Sequence, residues 1–412
     1  MGASNRYVRS PAGATVLLGL AAGAAFLAGK PMPASAQVSD GAVRIGVLGD
    51  YGSGRDLGGP GSVTAAKLAA AEFGDTVLGK PIEILAADHQ NKPDVASAIA
   101  RKWFDVDHVD AITDLAISSV GLAVARLGTQ TSHTVLVSGA ATSELTGKDC
   151  GPTVTHWADD TYALATSLGR AVTERVGKSW YFLTVDYTFG HTMYRDGKAA
   201  VEAVGGKVVG QASFPLNPAD FSSYLLSAQG SGAKVLAIAS SGNDTVNAVK
   251  QAHEFGVQSG GMTVVGLLTL IADVHSLGLE AAQDMYVASE YYWDADEPSR
   301  AFARRFSAIE KRPPTKLQAA TYAAVKHYLH SIQAAGTDEA VKVNAAMRQS
   351  PVDFFGRQGR IRPDGRVIYD LSVYQVKKPG ESKYPYDYYR LISTLKGDDA
   401  FRPSNAGGCN LH

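Results

Sequence analysis

Long apolar runs are nearly absent from this chain of 412 residues, and the clearest one lies close to its start. That run, Thr15–Ala28, has about 14 residues, fewer than the ~20 that a helix needs to cross a bilayer. Arg6 and Arg9 precede it, and Ala34-Ser35-Ala36 supplies small residues at the positions that a signal peptidase reads. The residue directly after this site is Gln37 and not a cysteine, which excludes attachment of a lipid there. The sequence therefore predicts a secretory signal over residues 1–36, cleaved after Ala36, and a mature protein released into the periplasm.

Cysteine is also scarce, since Cys150 and Cys409 are the only two in the chain. In an oxidising compartment two cysteines usually pair, and the export signal favours that state over two isolated thiols. The pair would join the C-terminal tail, residues 396–412, to the middle of the chain.

Neither sign of charge dominates, because the chain has 39 basic and 40 acidic residues. A balanced surface argues against a nucleic-acid partner. Motifs of catalysis are missing as well: there is no Gly-x-Ser-x-Gly elbow, no His-Glu-x-x-His pair and no nucleotide P-loop. His327 and His330 share a helix face without an evident third ligand, so that a solvated face is preferred to a metal site. We predict no enzyme, no cofactor and no metal.

What the chain does contain is a repeated alternation of short apolar runs with longer amphipathic stretches. Val43–Leu48 is typical of a buried strand and Pro60–Phe73 of a helix that follows it. Further predicted strands are Thr134–Val137, Tyr286–Ser289 and Val367–Val376, and Met193–Val204 is a further predicted helix. The mature chain is too long for one ordinary core, so we expect two α/β domains with parallel sheets covered by helices. After Met285 the pattern becomes mixed, and Pro363-Asp364-Gly365 signals a hairpin. A chain that crosses more than once between two lobes explains both the two α/β blocks and the mixed pattern after Met285.

Polar and small residues lie at the ends of predicted strands or at the starts of predicted helices, where ligands of open α/β sheets bind. Asp50 and Tyr51 lie in the Gly-rich loop after the first strand, which is equally well explained as a flexible turn. Ser118 and Ser119 stand where a helix begins and either cap it or mark free N–H groups that bind an anion. The segment Ser138–Thr146 repeats this arrangement, with Thr142 as a hydroxyl donor. A carboxylate held by neutral donors is the chemistry that we expect.

Several aromatic residues fall at predicted strand ends or lobe crossings. Trp157, Phe189 and Tyr291 are the main examples beside Tyr51. Such residues line a cleft or belong to the core, and the sequence leaves both alternatives open for each of them.

Taken together, the segments resemble the solute-binding proteins of branched-chain amino-acid-type ABC importers, which are type I periplasmic binding proteins. The resemblance covers essentially the whole mature chain and rests on these motifs: VRIGVLGDYGS, GGPGSVTAAKLAAAEF, DHQNKP, SSVGLAVA, SGAATSELT, DYTFG, DFSSYL and GRIRPDGR. It implies two doubly wound parallel-sheet lobes joined by a three-crossover hinge, which close around a small molecule. It divides the chain into an N-terminal lobe (42–157 plus 290–350) and a C-terminal lobe (158–289 plus 351–395).

The same resemblance implies a binding site and partners. It places a ligand carboxylate on Ser118, Ser119 and the segment Ala140-Ala141-Thr142, with Phe189 opposite. Tyr51, Trp157 and Tyr291 are further candidates because of their positions at predicted strand ends and lobe crossings. The implied partners are an inner-membrane permease and ATPase subunits on separate chains. The Cys150–Cys409 pair looks like a feature of one subgroup of the family.

Two departures from the family pattern concern the ligand. Amino-acid binders carry a Tyr after the strand that matches Val235–Ala239, and an acid in the loop that matches Gly266–Thr269. This chain has Ser240-Ser241-Gly242 and Leu267-Leu268 there. Without the acid a ligand ammonium would be buried unpaired, at a cost of several kcal/mol. We therefore expect a small carboxylate such as an aromatic acid. A branched-chain or other amino acid as ligand, and a sensor that reports to a membrane signalling partner, are the alternatives.

Overall fold

The computed structural model describes residues 37–51 and 58–411. The predicted signal and its cleavage site lie outside these residues, as do residues 52–57 of the Gly-rich loop. Among the described helices none has both the length and the apolar character required to cross a bilayer.

The first part of the chain builds a six-stranded sheet in the order β2-β3-β1-β4-β5-β6, in which only the β2–β3 pair is antiparallel. Its elements are β1 Val43–Gly49, α1 Pro60–Ala71, β2 Thr76–Val77, β3 Lys80–Asp88, α2 Pro93–Asp105, β4 Ala111–Asp114, α3 Ser118–Thr131, β5 Thr134–Val137 and β6 Val154–His156. Strands β4 and β5 are buried along their whole length, as expected for inner strands that helices cover on both faces.

The second part repeats the alternation and supplies five parallel strands of another sheet. Its elements are α4 Thr161–Arg175, β7 Ser179–Val185, α5 Thr188–Ala203, β8 Lys207–Phe214, α6 Ser222–Gly230, β9 Val235–Ala239, α7 Asn243–Glu254, β10 Thr263–Gly266, α8 Ile271–Leu277, α9 Leu279–Ala282 and β11 Tyr286–Ser289. The prediction of parallel α/β blocks is confirmed.

Three helices then return to the first sheet. They are α10 Glu297–Glu310, α11 Lys316–Ala335 and α12 Ala340–Gln349. Helix α11 packs on α1 and on strands β4 and β5, and it buries most of its length. His327 of α11 is buried and its Nε2 lies 2.9 Å from the carbonyl oxygen of Met347, so that the expectation of a solvated face is wrong for this residue.

The remaining strands complete the fold. A separate antiparallel sheet contains β12 Val352–Phe354, β13 Arg357–Ile361 and β14 Val367–Ile368; β15 Leu371–Val376 and β16 Tyr389–Leu395 follow, and then α13 Gly397–Ala400. The predicted turn joins β13 to β14, with Gly365 at φ 82°. Strands β15 and β16 extend the second sheet on one side as antiparallel strands, and its order becomes β16-β15-β11-β10-β9-β7-β8.

The chain passes between the two lobes three times, at residues 157–160, 290–296 and 362–370, and the third passage includes the short strand β14. This confirms the two-lobed fold with a three-crossover hinge. The lobe bounds inferred from the sequence stay a prediction. The crossings touch each other: the N–H of His156 donates to the carbonyl of Gly365 at 2.9 Å. Arg366, fully buried, donates to the carbonyl of Ala158 at 2.6 Å and faces Asp160 at 3.4 Å. The disulfide between Cys150 and Cys409 is present, with a Cα–Cα distance of 5.7 Å.

Candidate functional site

The first group of candidate residues lies at the carboxyl end of β4. Asp114 and Leu115 have φ values of 77° and 62°, a rare left-handed pair that turns the chain sharply into α3. The first hydrogen bond of α3 runs from the N–H of Gly121 to the carbonyl of Ile117 at 2.8 Å. The preceding N–H groups have no acceptor within the helix, so that they are available to an anion.

The neighbouring strand β5 brings the segment 140–142 beside this helix start. Gly121 permits the approach, because a Cβ there would lie 2.6 Å from the Cβ of Ala140. The carbonyl of Ala140 accepts from Nε2 of buried His156 at 2.7 Å, and the carbonyl of Ala141 accepts from the N–H of Thr161 at 2.7 Å. These bonds fix the segment through its carbonyl oxygens, which turns its N–H groups away from them.

Thr142 adds a hydroxyl to this row of donors. Its Oγ1 accepts a long hydrogen bond of 3.4 Å from the N–H of Glu144. Because the oxygen acts as an acceptor there, its own proton is left to be donated. Ser118 and Thr142 are buried and Ser119 is half-buried. The structure thus brings together five of the predicted residues, Ser118, Ser119, Ala140, Ala141 and Thr142.

Tyr51, half-buried at the end of β1, has a side-chain hydroxyl with no hydrogen-bond partner in the described part of the chain. Burial raises the pKa of Tyr51, with Asp114 and Asp88 as further causes, so that it remains a protonated donor. Burial also raises the pKa of Asp114 to about 8, although its Oδ2 accepts from the N–H of Gly59 at 3.0 Å. Asp114 is therefore largely neutral at pH 7.

On the opposite sheet the strand ends carry no acid at residues 266–269. Leu267 and Leu268 are buried, and Oγ1 of buried Thr269 has no partner among the described residues. The nearest acid along the chain is Asp273, whose Oδ2 accepts from the N–H of Leu270 at 2.8 Å at the start of α8. Ser240, after β9, is 2.8 Å from Oγ1 of Thr245.

Glu290 is an acid in the second crossing of the hinge, and it is 1% exposed. Neither of its carboxyl oxygens has a hydrogen-bond partner within the described structure. Burial, and then the charge of Asp159, raise the pKa of Glu290 well above its usual value. Lys316, which opposes that shift, donates to Oδ2 of Asp159 at 2.6 Å. The raised pKa favours the uncharged acid, which makes Glu290 a poor partner for a ligand ammonium.

The predicted aromatic residues of the hinge region are packed within the protein. The indole N–H of Trp157 donates to Oγ1 of Thr155 at 2.8 Å, and its ring lies 5.6 Å from that of His327. The hydroxyl of Tyr291 donates to the carbonyl of Ser299 at 3.1 Å, and its ring lies 4.7 Å from that of Phe355. Phe189 is 1% exposed, in the first turn of α5. Among the described residues, no side-chain hydrogen bond or ring contact joins these three aromatic residues to Ser118, Ser119 or the segment 140–142.

A cavity of about 640 Å³ lies between α3 and α5. Ser119 and Thr188 line it near the starts of the two helices, and Glu144 and Arg195 line its other end. Arg195 of α5 forms an ion pair with Glu144, which follows the donor segment by two residues. Sequence reasoning missed this contact between the lobes, since no local pattern pairs two charges that lie far apart in the chain.

The profile of the family described as periplasmic binding protein matches residues 42–381. The chain belongs to the periplasmic binding protein family. A periplasmic binding protein from Burkholderia mallei is 42% identical and superposes with a TM-score of 0.87, over 90% of this chain and 99% of that one. No curated protein sequence matches the chain.

Two further solved structures show how widely this fold is shared. A branched-chain amino acid ABC transporter periplasmic ligand-binding protein from Burkholderia xenovorans is 35% identical, with a TM-score of 0.82 over 90% of this chain and 99% of that one. A solute-binding protein from R. palustris, in complex with benzoate, is 19% identical, with a TM-score of 0.80 over 90% and 100%. At that identity the likeness is one of fold alone.

Proposed function

We propose that this periplasmic binding protein is the solute-binding component of an ABC importer and that its cargo is a small aromatic carboxylate. The observation that carries the proposal is the pairing of a row of neutral donors with the lack of a fixed anion at residues 266–269. Backbone N–H groups and hydroxyls stabilise a carboxylate, and a helix start adds its dipole. A cargo without an ammonium group needs nothing more.

In this proposal the carboxylate lies against Ser118, Ser119 and the segment 140–142. Tyr51 and Phe189 border the ring of the cargo, one from each lobe. Trp157 and Tyr291, whose rings already pack on protein rings, support the hinge rather than the cargo. Closure follows from binding because only the closed form lets both lobes contact the ligand.

Delivery requires partners outside this chain. We propose that the closed form docks on an inner-membrane permease in the periplasm and that separate ATPase chains drive release. Export through the predicted N-terminal signal brings the protein to that compartment.

Known ligands of related folds support an aromatic cargo without deciding it. Besides the benzoate complex, a solute-binding protein from Rhodopseudomonas palustris of 21% identity holds 3,4-dihydroxybenzoic acid. The relative named for branched-chain amino acids supports the competing cargo. Leucine would bring an ammonium to a site whose nearby acids either accept a hydrogen bond already, as Asp273 does, or have a raised pKa, as Glu290 has. Burying that charge unpaired costs several kcal/mol.

The proposal is tested by calorimetric titration of benzoate into the wild type and into Thr142→Val. This change removes the hydroxyl with almost no change of shape, and a hydrogen bond to a charged group contributes about 1.5–3 kcal/mol. We expect affinity for benzoate to fall about tenfold or more. Thr131→Val is the matched control, because the hydroxyl of Thr131 donates to the carbonyl of Leu127 within α3. Equal benzoate affinity in all three proteins would show that Thr142 does not contact the ligand. No binding of benzoate to the wild type would refute the proposal that the cargo is an aromatic carboxylate.

A further inference from the structure

The C-terminal tail runs from the second sheet across the third crossing. Lys396, just after β16, is paired with Asp370 at 2.7 Å, and the N–H of Gly397 donates to the same carboxylate at 3.2 Å. Phe401 is 2% exposed and lies under the guanidinium of Arg366 at 4.4 Å from the ring centroid. The tail is thus anchored by packing and by charge before it leaves the second lobe.

Beyond Phe401 the tail reaches the segment that leads from the donor row to β6. The carbonyl oxygen of Arg402 accepts a hydrogen bond from the guanidinium of Arg362 at 2.7 Å. The guanidinium of Arg402 donates to the carbonyl oxygen of Ser143 at 2.7 Å. A Cβ at Gly147 would lie 2.6 Å from the carbonyl oxygen of Gly407, so the two backbones approach closely. The disulfide between Cys150 and Cys409 follows within three residues of Gly147.

Helices of the second lobe hold the same segment from another direction. Oδ2 of buried Asp196 in α5 accepts from the hydroxyl of Ser143 at 2.8 Å and from that of Thr161 at 2.6 Å. The N–H of Ser143 donates to Oγ1 of Thr161 at 3.2 Å. Arg195 donates to Oγ of Ser143 at 3.0 Å. Ser143 directly follows Thr142, so these contacts act next to the proposed carboxylate site.

We propose that the disulfide-linked tail is a fourth connection between the lobes, which limits their separation and positions the segment 140–142 for binding. The three backbone crossings lie together, and a hinge confined to one patch can rotate. A covalent link from the tail after β16 to the segment before β6 restricts that rotation at a point outside the crossings. The positioning part of this proposal rests on the proposed function, whereas the limit on separation does not.

The test compares the wild type with Cys150→Ser/Cys409→Ser. Small-angle X-ray scattering without ligand measures how far the lobes separate, and calorimetry measures the affinity for benzoate. Without the link we expect a larger radius of gyration and about three- to tenfold weaker benzoate binding, because a smaller fraction of molecules has the competent arrangement. Equal scattering and equal affinity in the two proteins would overturn the proposal.

Two further arms keep the result clear. If the double variant does not fold, the wild type is measured before and after mild reduction, with circular dichroism to verify that it stays folded; unchanged scattering there would equally overturn the proposal. Arg402→Ala, which keeps the disulfide, should widen the lobes less than loss of the link does, and a larger effect would contradict us. A change in scattering without benzoate binding in any protein would refute the proposed cargo and leave the fourth connection standing.

Discussion

Replacement of Lys316 by Met tests the charges buried in the hinge. Lys316 is 4% exposed and donates to Oδ2 of Asp159 at 2.6 Å and to the carbonyl of Ala288 at 3.1 Å. In the variant Asp159 loses this donor, and its other oxygen has no partner among the described residues. Glu290 lies beside it, so that two buried carboxyl groups would share a site without a cation.

The expected loss follows from this geometry. Removing one partner of a buried ion pair costs about 3–5 kcal/mol, since the other charge stays buried without compensation.

Urea unfolding followed by circular dichroism at pH 8 measures this loss. We expect Lys316→Met to lose about 3–5 kcal/mol of unfolding free energy. Asp159→Asn/Lys316→Met should recover part of the loss, because it no longer buries an unpaired carboxylate. Lys198→Met, at a half-exposed lysine in a loose surface pair, is the matched control and should change little. A loss below about 1 kcal/mol would refute this reasoning.

Two further predictions concern the end of β4 and the third crossing. Burial raises the pKa of Asp114 to about 8 in the folded protein. Between about pH 4 and pH 8 the folded wild type therefore keeps a proton that the unfolded chain has lost, and its stability falls as pH rises through that window. Asp114→Asn abolishes this dependence; its stability relative to the wild type should rise with pH in urea unfolding, and a constant difference would contradict us. Gly365→Ala should cost about 2 kcal/mol or more in thermal unfolding, because φ is 82° and its Cβ would lie 2.3 Å from the carbonyl oxygen of Val154. Gly380→Ala, with open space around it, should change the melting temperature little; equal effects of the two changes would exclude strain at Gly365.

The strands that sequence analysis found were continuous apolar runs between clear helices. Thr134–Val137 and Tyr286–Ser289 have the predicted bounds. Ala111–Asp114 and Thr263–Gly266 were not predicted as strands, because each contains only two apolar residues between polar residues or glycine. The helix predicted from Met193 begins five residues earlier, at Thr188.

The predicted strand Val367–Val376 is two strands in the structure. The break falls at Tyr369 and Asp370, where the chain leaves the small sheet for the large one. Tyr369 donates its hydroxyl to the carbonyl of Trp157, and Asp370 binds Lys396. Both contacts join distant residues, so that no local pattern contains this break.

The candidate site was predictable where it depends on local structure and hidden where it does not. The helix start at Ser118 is marked by its two serines, and the small residues 140–142 follow the predicted strand Thr134–Val137. The burial of Trp157 against His327 depends on how α11 returns to the first sheet, and the contact of Ser143 with Asp196 depends on how the two lobes meet. The disulfide was predicted from the compartment alone, and its role as a link between the sheets emerged only with the position of the tail.

The most direct test of the central claim is calorimetric titration of the wild type with benzoate and, separately, with leucine at pH 7. If neutral donors hold a carboxylate and no fixed anion faces them, benzoate should bind and leucine should show no measurable heat of binding. Tight binding of leucine together with no response to benzoate would contradict the account.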